Sequence, residues 1–151
     1  MTRANRYTKL WLSAIGLHAL HQVEEAIDFF RWYRDNYHHI PGWLAILSLE
    51  RAERVVREPG LFVLASTAQI AAASAVAFLS RKSERWTRVF LALYLSGLTF
   101  FLVWHIAASY AAHSYAPIMV TCVGGLFIIP RWMREVLAKG DASAVGATSS
   151  P

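Results

Sequence analysis

Long stretches of apolar residues without a charged side chain dominate the second half of the chain. Residues 61–80 form a run of twenty without a charge, and residues 89–130 form a run of forty-two that includes only two histidines. A helix needs about 20 apolar residues to cross the hydrocarbon core of a membrane. Helices of a soluble four-helix bundle carry polar or charged residues on their outer face instead. The pattern therefore predicts an all-α membrane protein.

We predict four transmembrane helices and a short interfacial helix between the first two. The spans are expected at about residues 8–30, 61–80, 87–110 and 115–132. Residues 43–56 combine tryptophan and leucines with arginines, which is typical of a helix lying on a membrane surface. Residues 1–139 would form a single transmembrane domain. The tail, residues 140–151, consists mainly of small and polar residues and is expected to be disordered.

The basic residues indicate how these spans are oriented. Of the 15 lysines and arginines, ten lie in the two terminal segments and in the loop after the second span, and five lie in the first connection. Cytoplasmic segments of membrane proteins carry the excess of basic residues, so both termini are expected in the cytoplasm of a bacterial-type plasma membrane. The basic residues flank the hydrophobic runs and form no patch, which argues against a nucleic-acid partner and leaves the lipid bilayer as the expected one.

Ionisable side chains follow one side of the first predicted helix. At about 100° per residue, five of them fall within an arc of about 120°: His18, His21, Glu24, Glu25 and Asp28. A charge in the middle of a transmembrane helix costs about 2.5–3.5 kcal/mol. The stripe is therefore expected to face the interior of the bundle, a water-filled cavity or a bound ion. The alternative is that the first helix lies at the interface with its acids in water.

A second histidine is expected at the same depth of the membrane. Because the first and third spans run outward, the acids of the first helix and His105 of the third fall in the same leaflet. Tyr115 follows at the outer surface, and Gln69 of the second span shares a face with Ser66. The loop histidines, at positions 38, 39 and 113, are expected to be solvated. The polar groups of separate helices are thus expected to collect in one place.

This combination of side chains suits a metal ion. Residues three and four apart are neighbours on a helix, so His21 can point at the same atom as Glu24 or Glu25. With His105 they form a mixed nitrogen and oxygen ligand set that suits zinc, iron or manganese. We therefore predict these four residues as metal ligands, and His21, Glu24 and Glu25 as catalytic. The residues expected to support them are His18, Asp28, Gln69 and Tyr115.

Other chemistries fit the same residues. A buried carboxyl group beside a histidine can exchange protons without a metal, as in a lipid isomerase or cyclase. Buried acids and histidines also form proton or cation relays in small carriers, or the chain could be an accessory subunit. A hydrophobic small molecule is the expected substrate of either enzyme. The single cysteine, Cys122, excludes an intramolecular disulfide and a cysteine-based zinc site, and we expect it to be a packed thiol.

Two segments resemble a known family. Residues 21–25, His-Gln-Val-Glu-Glu, resemble the signature of the HXXEE family, small membrane proteins that are named for this motif. His105, followed by Tyr115, Pro117 and Thr121, is similar to the family's later histidine and its Tyr-x-Pro segment.

The resemblance covers most of the chain, from about residue 12 to residue 130. One departure is Ile118, which stands where the family pattern leads us to expect glycine. The resemblance implies a multi-pass membrane protein whose activity is suspected to be enzymatic. It also implies that the signature positions are His21, Glu24, Glu25 and His105.

Overall fold

The first part of the fold is one long helical segment. The computed structural model describes residues 3–138, and regular structure in this range is entirely helical. The segment consists of α1 (Arg3–Glu24), one π-helical turn (Glu25–Phe29) and α2 (Phe30–Asn36). Helical backbone angles continue through both junctions. The predicted disordered tail, residues 140–151, lies outside the described residues.

Four further helices follow in the described part of the chain: α3 (Leu49–Arg57), α4 (Pro59–Ser80), α5 (Glu84–Ala111) and α6 (Met119–Leu137). The predicted all-α class is confirmed. By length and composition, α4 and α5 are the two described helices that could cross a membrane. The spans predicted for α1 and α6 remain predictions, because charged side chains at the ends of both helices and along α1 lower their apolar content.

The predicted interfacial helix is shorter than the sequence pattern indicated. α3 begins at Leu49 rather than at residue 43, because the side chain of Ser48 caps it and accepts a hydrogen bond from the backbone N–H of Arg51 at 3.3 Å. A serine at this position satisfies a backbone N–H that has no partner within the helix. Trp43, expected inside the helix, lies in the preceding turn and is exposed.

The segment before α3 is fastened across the end of the bundle. The indole of Trp104 donates to the carbonyl of Leu44 at 2.6 Å, and the hydroxyl of Tyr33 donates to the carbonyl of Leu47 at 2.8 Å. Burial raises the pKa of Tyr33 above its usual range, so its hydroxyl stays a donor at neutral pH. These two bonds tie the first connection to α2 and α5.

α5 packs against α1, α4 and α6, and its pairing with α6 is the most extensive in the described chain. α1 packs against α4, α5 and α6. Leucines one turn apart fill the face of α5 that is buried: Leu91, Leu95, Leu98 and Leu102. α6 approaches this face at Gly125, where a methyl group would collide with Leu102. The neighbouring Gly124 faces open space, so only one of the two glycines is needed for close packing.

Candidate functional site

Two histidines continue the buried faces of their helices. His21 lies two turns after the buried Ala14 on α1, and His105 follows Leu98 and Leu102 on the buried face of α5. The exposed fraction is 2% for His21 and 1% for His105. Their ring centroids are 4.8 Å apart, with one ring edge-on to the other. The packing of α1 against α5 therefore brings the two imidazoles together inside the bundle.

Thr121 on α6 connects His21 to Glu24. Its hydroxyl oxygen lies 2.8 Å from Nδ1 of His21 and 2.5 Å from Oε2 of Glu24. The backbone N–H of Thr121 also donates to Oε2 of Glu24, at 3.3 Å. One residue of α6 thus holds both the imidazole and the carboxylate of α1.

The bonds around Thr121 determine which nitrogen of His21 carries the proton. A hydroxyl group has one hydrogen, and an ionised carboxylate only accepts hydrogen bonds. The Thr121 hydroxyl therefore donates to Glu24 and accepts from Nδ1–H of His21. In this neutral tautomer Nε2 of His21 has a free lone pair. That atom is buried and has no hydrogen-bond partner among the described residues.

Glu25 lies beside the second histidine. Its Oε1 atom is 3.1 Å from Nε2 of His105, and its side chain is almost fully buried. The two atoms are within ion-pair distance, but their alignment does not make a hydrogen bond, so neither ring nitrogen of His105 has one within the described chain. Buried polar atoms usually have a hydrogen-bond partner. Three buried imidazole nitrogens without a hydrogen bond therefore lie in one place, which marks the cluster as a candidate functional site.

Cys122 completes the cluster. Its sulfur and one ring nitrogen each of His21 and His105 lie within 4.8 Å of one another, and all three side chains are buried. Thiolate and imidazole are ligands for zinc and for other transition metals. Neither glutamate belongs to this closely spaced set of ligand atoms in the described chain. The arrangement can hold a metal ion, or it can pass protons between His105 and Glu25.

Aromatic side chains pack against His105 on one side of the cluster. The rings of Phe29 and Trp104 each lie 4.6 Å from the ring of His105, centroid to centroid. Tyr33 packs against Phe29 and Trp104 and is itself fully buried. The hydrogen bond from the Trp104 indole to Leu44 fixes these rings to the connection before α3.

The π-helical turn begins at Glu25 and changes the direction of the side chains after it. It departs from the α-helical spacing on which the predicted stripe rests, and single π turns within α-helices are frequent at functional sites. Glu25 and Phe29 of this turn are buried. The carboxylate of Asp28 instead forms a 3.0 Å ion pair with Arg31, and both side chains are largely exposed. The structure therefore does not bring Asp28 to the cluster.

His18 belongs to a neighbouring polar network. Its Nδ1 lies 2.7 Å from the hydroxyl of Tyr94 on α5, and the side-chain nitrogen of Gln22 donates to its Nε2 at 3.1 Å. The hydroxyl of Ser66 on α4 donates to the amide oxygen of Gln22 at 2.5 Å. This chain of hydrogen bonds ties α1 to α4 and α5, and within the described residues it does not include His21, His105 or Cys122.

Other residues predicted for the site lie at the surface. Gln69 on α4 is exposed, and Tyr115, before α6, is 73% exposed. The loop histidines are exposed as expected: His38, His39 and His113. Of the residues predicted as metal ligands, the structure brings His21, Glu25 and His105 together. Glu24 is connected to His21 through the hydroxyl of Thr121. Sequence reasoning excluded a cysteine-based zinc site and took Cys122 for a packed thiol, so it missed that one cysteine can join two histidines in a mixed ligand set. It also missed Thr121 as the link to Glu24.

Replacing Thr121 with valine, which has the same shape, is expected to lower the free energy of unfolding by about 1–3 kcal/mol. The change leaves the Glu24 carboxylate and the Nδ1–H group of His21 without their shared partner. The shift of the thermal unfolding midpoint measures the effect. Thr99→Val is the matched control, because that hydroxyl bonds only to the carbonyl of Leu95 in its own helix. Equal shifts for the two variants would contradict the link between His21 and Glu24.

Comparison with known proteins identifies the family. No curated protein and no solved structure matches the chain. A family model described as "Protein of unknown function with HXXEE motif" matches residues 11–133. The matched range includes the His-Gln-Val-Glu-Glu motif together with His105 and Cys122, and it covers most of the chain. The chain therefore belongs to the HXXEE family.

Proposed function

We propose that the chain is an integral membrane protein with four spans that binds one divalent transition-metal ion between α1, α5 and α6. It uses this ion for chemistry on a lipid-like or other hydrophobic molecule. The observation that carries the proposal is the buried set of His21, His105 and Cys122, whose ligand atoms lie within 4.8 Å of one another.

The exposure of α4 supports the membrane location. α4 is long and apolar enough to cross a membrane, yet only 6% of its most apolar part is buried within the protein. An apolar core helix of a soluble protein would be mostly buried, and a signal sequence would lie near the N-terminus. α4 fits neither description. Large apolar side chains such as Leu64 and Leu79 are exposed along it, which is favourable against lipid and costly in water.

The packing of the bundle supports the other two spans. α1 packs against α4 and α5, and α6 packs against α5. Helices that run beside a transmembrane helix occupy the same layer of the bilayer. Their outward faces carry exposed apolar residues, including Ile27 of the π turn at 72% and Phe127 of α6 at 74%. With four spans, the ten-to-five distribution of basic residues favours cytoplasmic termini.

The donor set favours zinc or iron. Thiolate and imidazole ligands suit these metals better than magnesium or calcium, which prefer oxygen. His21, His105 and Cys122 supply three ligands, and a fourth position then remains for water or substrate. Catalytic zinc sites have this composition, whereas structural sites use four protein ligands.

The two glutamates take different roles in this proposal. Glu24 acts through Thr121, which fixes the ring of His21 and leaves its buried Nε2 lone pair free for a metal ion. Such orienting contacts are typical of metal-binding histidines. Glu25 lies beside His105 and is the group best placed to accept a proton or to contribute a further ligand. A bound metal ion polarises a substrate oxygen or lowers the pKa of a bound water molecule.

The metal content of the purified wild-type protein tests the proposal. The protein should be extracted from membranes in a mild detergent without chelators and analysed by inductively coupled plasma mass spectrometry. About one zinc or iron ion per chain is expected, with loss on chelation and recovery on adding back the metal. A folded, monodisperse protein that neither contains nor takes up a transition metal would overturn the metal-dependent function.

The contact between His105 and Glu25 supports a second candidate. This buried imidazole and carboxylate lie 3.1 Å apart, and a small reorientation that aligns them into a hydrogen bond would allow proton transfer, which is the step that a metal-free isomerase or cyclase requires. The same metal analysis separates the two candidates. If the wild-type protein is free of metal, Glu25→Gln should abolish activity on a hydrophobic substrate, and a metal chelator should leave that activity unchanged.

A further inference from the structure

A groove lies at the end of the bundle where α4 leads into α5, away from the His21–His105 cluster. Its volume is about 750 Å³, within the range of about 300–1,000 Å³ typical of ligand sites. Apolar side chains of α1 and α4 form its walls, including Trp11, Leu12, Ile15 and Phe78. None of the residues of the His21–His105 cluster lines it. The groove is therefore a separate feature with an apolar interior.

The rim of the groove is basic. Arg81 and Lys82, in the turn between α4 and α5, line its end and are exposed. The guanidinium carbon of Arg81 lies 3.7 Å from the ring centre of Phe78, which holds this cation over the apolar wall. Neither side chain forms an ion pair with another described residue. Glu84 also lines the groove, so two cations and one carboxylate leave a net positive rim.

From this combination we infer that the groove binds an anionic membrane lipid, with its phosphate at Arg81 and Lys82 and an acyl chain along Leu12 and Phe78. The inference rests on the proposed membrane location, because this turn then lies at the cytoplasmic surface. It does not rest on the metal ion. Basic pockets between transmembrane helices on the cytoplasmic side are suited to phosphate head groups. An acyl chain matches apolar walls that would otherwise face lipid.

The groove also approaches the polar core of the bundle. Trp11, on its inner wall, packs against the ring of Tyr94 with 5.3 Å between ring centroids. The hydroxyl of Tyr94 contacts His18, one turn before His21. Along α1, Trp11 lies ten residues before His21, about 15 Å at 1.5 Å per residue, so the groove and the cluster are separate sites joined by one helix.

Native mass spectrometry of the full chain in detergent tests the inference. The probes are dioleoyl phosphatidic acid, dioleoyl phosphatidylcholine and glycerol 3-phosphate. The wild-type protein is expected to retain one phosphatidic acid and to bind phosphatidylcholine more weakly. The double variant Arg81→Gln, Lys82→Gln is expected to bind phosphatidic acid about 30-fold more weakly, because two interfacial cations are lost.

The matched control is Arg51→Gln with Arg57→Gln, which removes two exposed cations of α3 outside the groove. This control should bind phosphatidic acid like the wild type, and both double variants should keep the wild-type unfolding temperature. Equal weakening by both variants would indicate unspecific attraction and overturn the inference. Equal retention of the two lipids, or displacement of phosphatidic acid by glycerol 3-phosphate alone, would also overturn it.

Carbonate extraction separates failure of this inference from failure of the membrane location. If the protein leaves the membrane fraction at high pH and stays in solution without detergent, the membrane location is wrong and the lipid site falls with it. If the protein stays in the membrane but retains no phosphatidic acid, only the lipid site is wrong.

Discussion

Replacing His21 or His105 with alanine is expected to weaken binding of zinc or iron by more than about 100-fold. Changes to groups that only orient a metal ligand already cost about 10–100-fold, and in the proposed site each of these histidines supplies a ligand atom. Both side chains are buried next to Cys122, so no exposed group from the described chain is positioned to replace them. Metal titration of each folded variant, after removal of bound metal, measures the affinity.

His18→Ala is the control that distinguishes a ligand from a nearby histidine. His18 lies one turn before His21 on the same helix but contacts Tyr94 and Gln22. Its removal should alter the unfolding temperature and leave metal affinity within a few-fold of wild type. His39→Ala, at an exposed position, should change neither property. If His18→Ala weakened metal binding as much as His21→Ala, the proposed ligand set would be incorrect.

The spacing of polar residues along α1 predicted a polar site but only some of its members. Regular α-helical geometry holds as far as Glu24, and within that range the buried His21 and the carboxylate behind it were predictable. The π turn then begins at Glu25, and a stripe drawn at α-helical spacing misplaces Asp28. No local sequence rule indicates where a π turn starts, because the packing of Phe29 and Trp104 around it involves residues far apart in the chain.

The contribution of α6 could not be predicted from its sequence. Thr121 and Cys122 lie in an uncharged run in which threonine and cysteine are ordinary residues of an apolar helix. Whether they face α1 or the outside of the bundle depends on the rotation of α6, which the contact at Gly125 helps to determine. The family resemblance included Thr121 as a similar position, but it carried no information about the hydrogen bond to Glu24.

The helices themselves were largely predictable, because uncharged runs and charged boundaries act over twenty residues or more. Their ends depend on single residues. Ser48 starts α3 six residues later than the amphipathic pattern suggested. The fourth predicted span was expected from residue 115, but α6 begins only at Met119. Pro117 restricts Ala116 to extended conformations, so the helix cannot reach back to residue 115.

Replacing Cys122 with serine is expected to weaken zinc binding by more than about 100-fold and to remove the thiolate-to-metal charge-transfer absorption of a cobalt-substituted protein. The fully buried thiol lies with His21 and His105 in the proposed ligand set. Serine preserves the size of the side chain but exchanges a soft thiolate for a hard hydroxyl group, which is a poor ligand for zinc. Cobalt spectroscopy and zinc titration of the same variant measure the two effects.

The alternative is that Cys122 only fills space against α5, as its place in an apolar run suggests. A packed thiol predicts that Cys122→Ala changes the unfolding temperature slightly and leaves both cobalt absorption and zinc affinity at wild-type values. If the thiolate is a ligand, both the alanine and the serine variant should lose the cobalt charge-transfer absorption and the tight binding of zinc. Because His21 and His105 stay in place in both variants, any difference from wild type in the cobalt spectrum belongs to the sulfur atom. The spectrum therefore decides whether the site has three ligands, His21, His105 and Cys122, or consists of two histidines with Glu25 as their carboxylate partner.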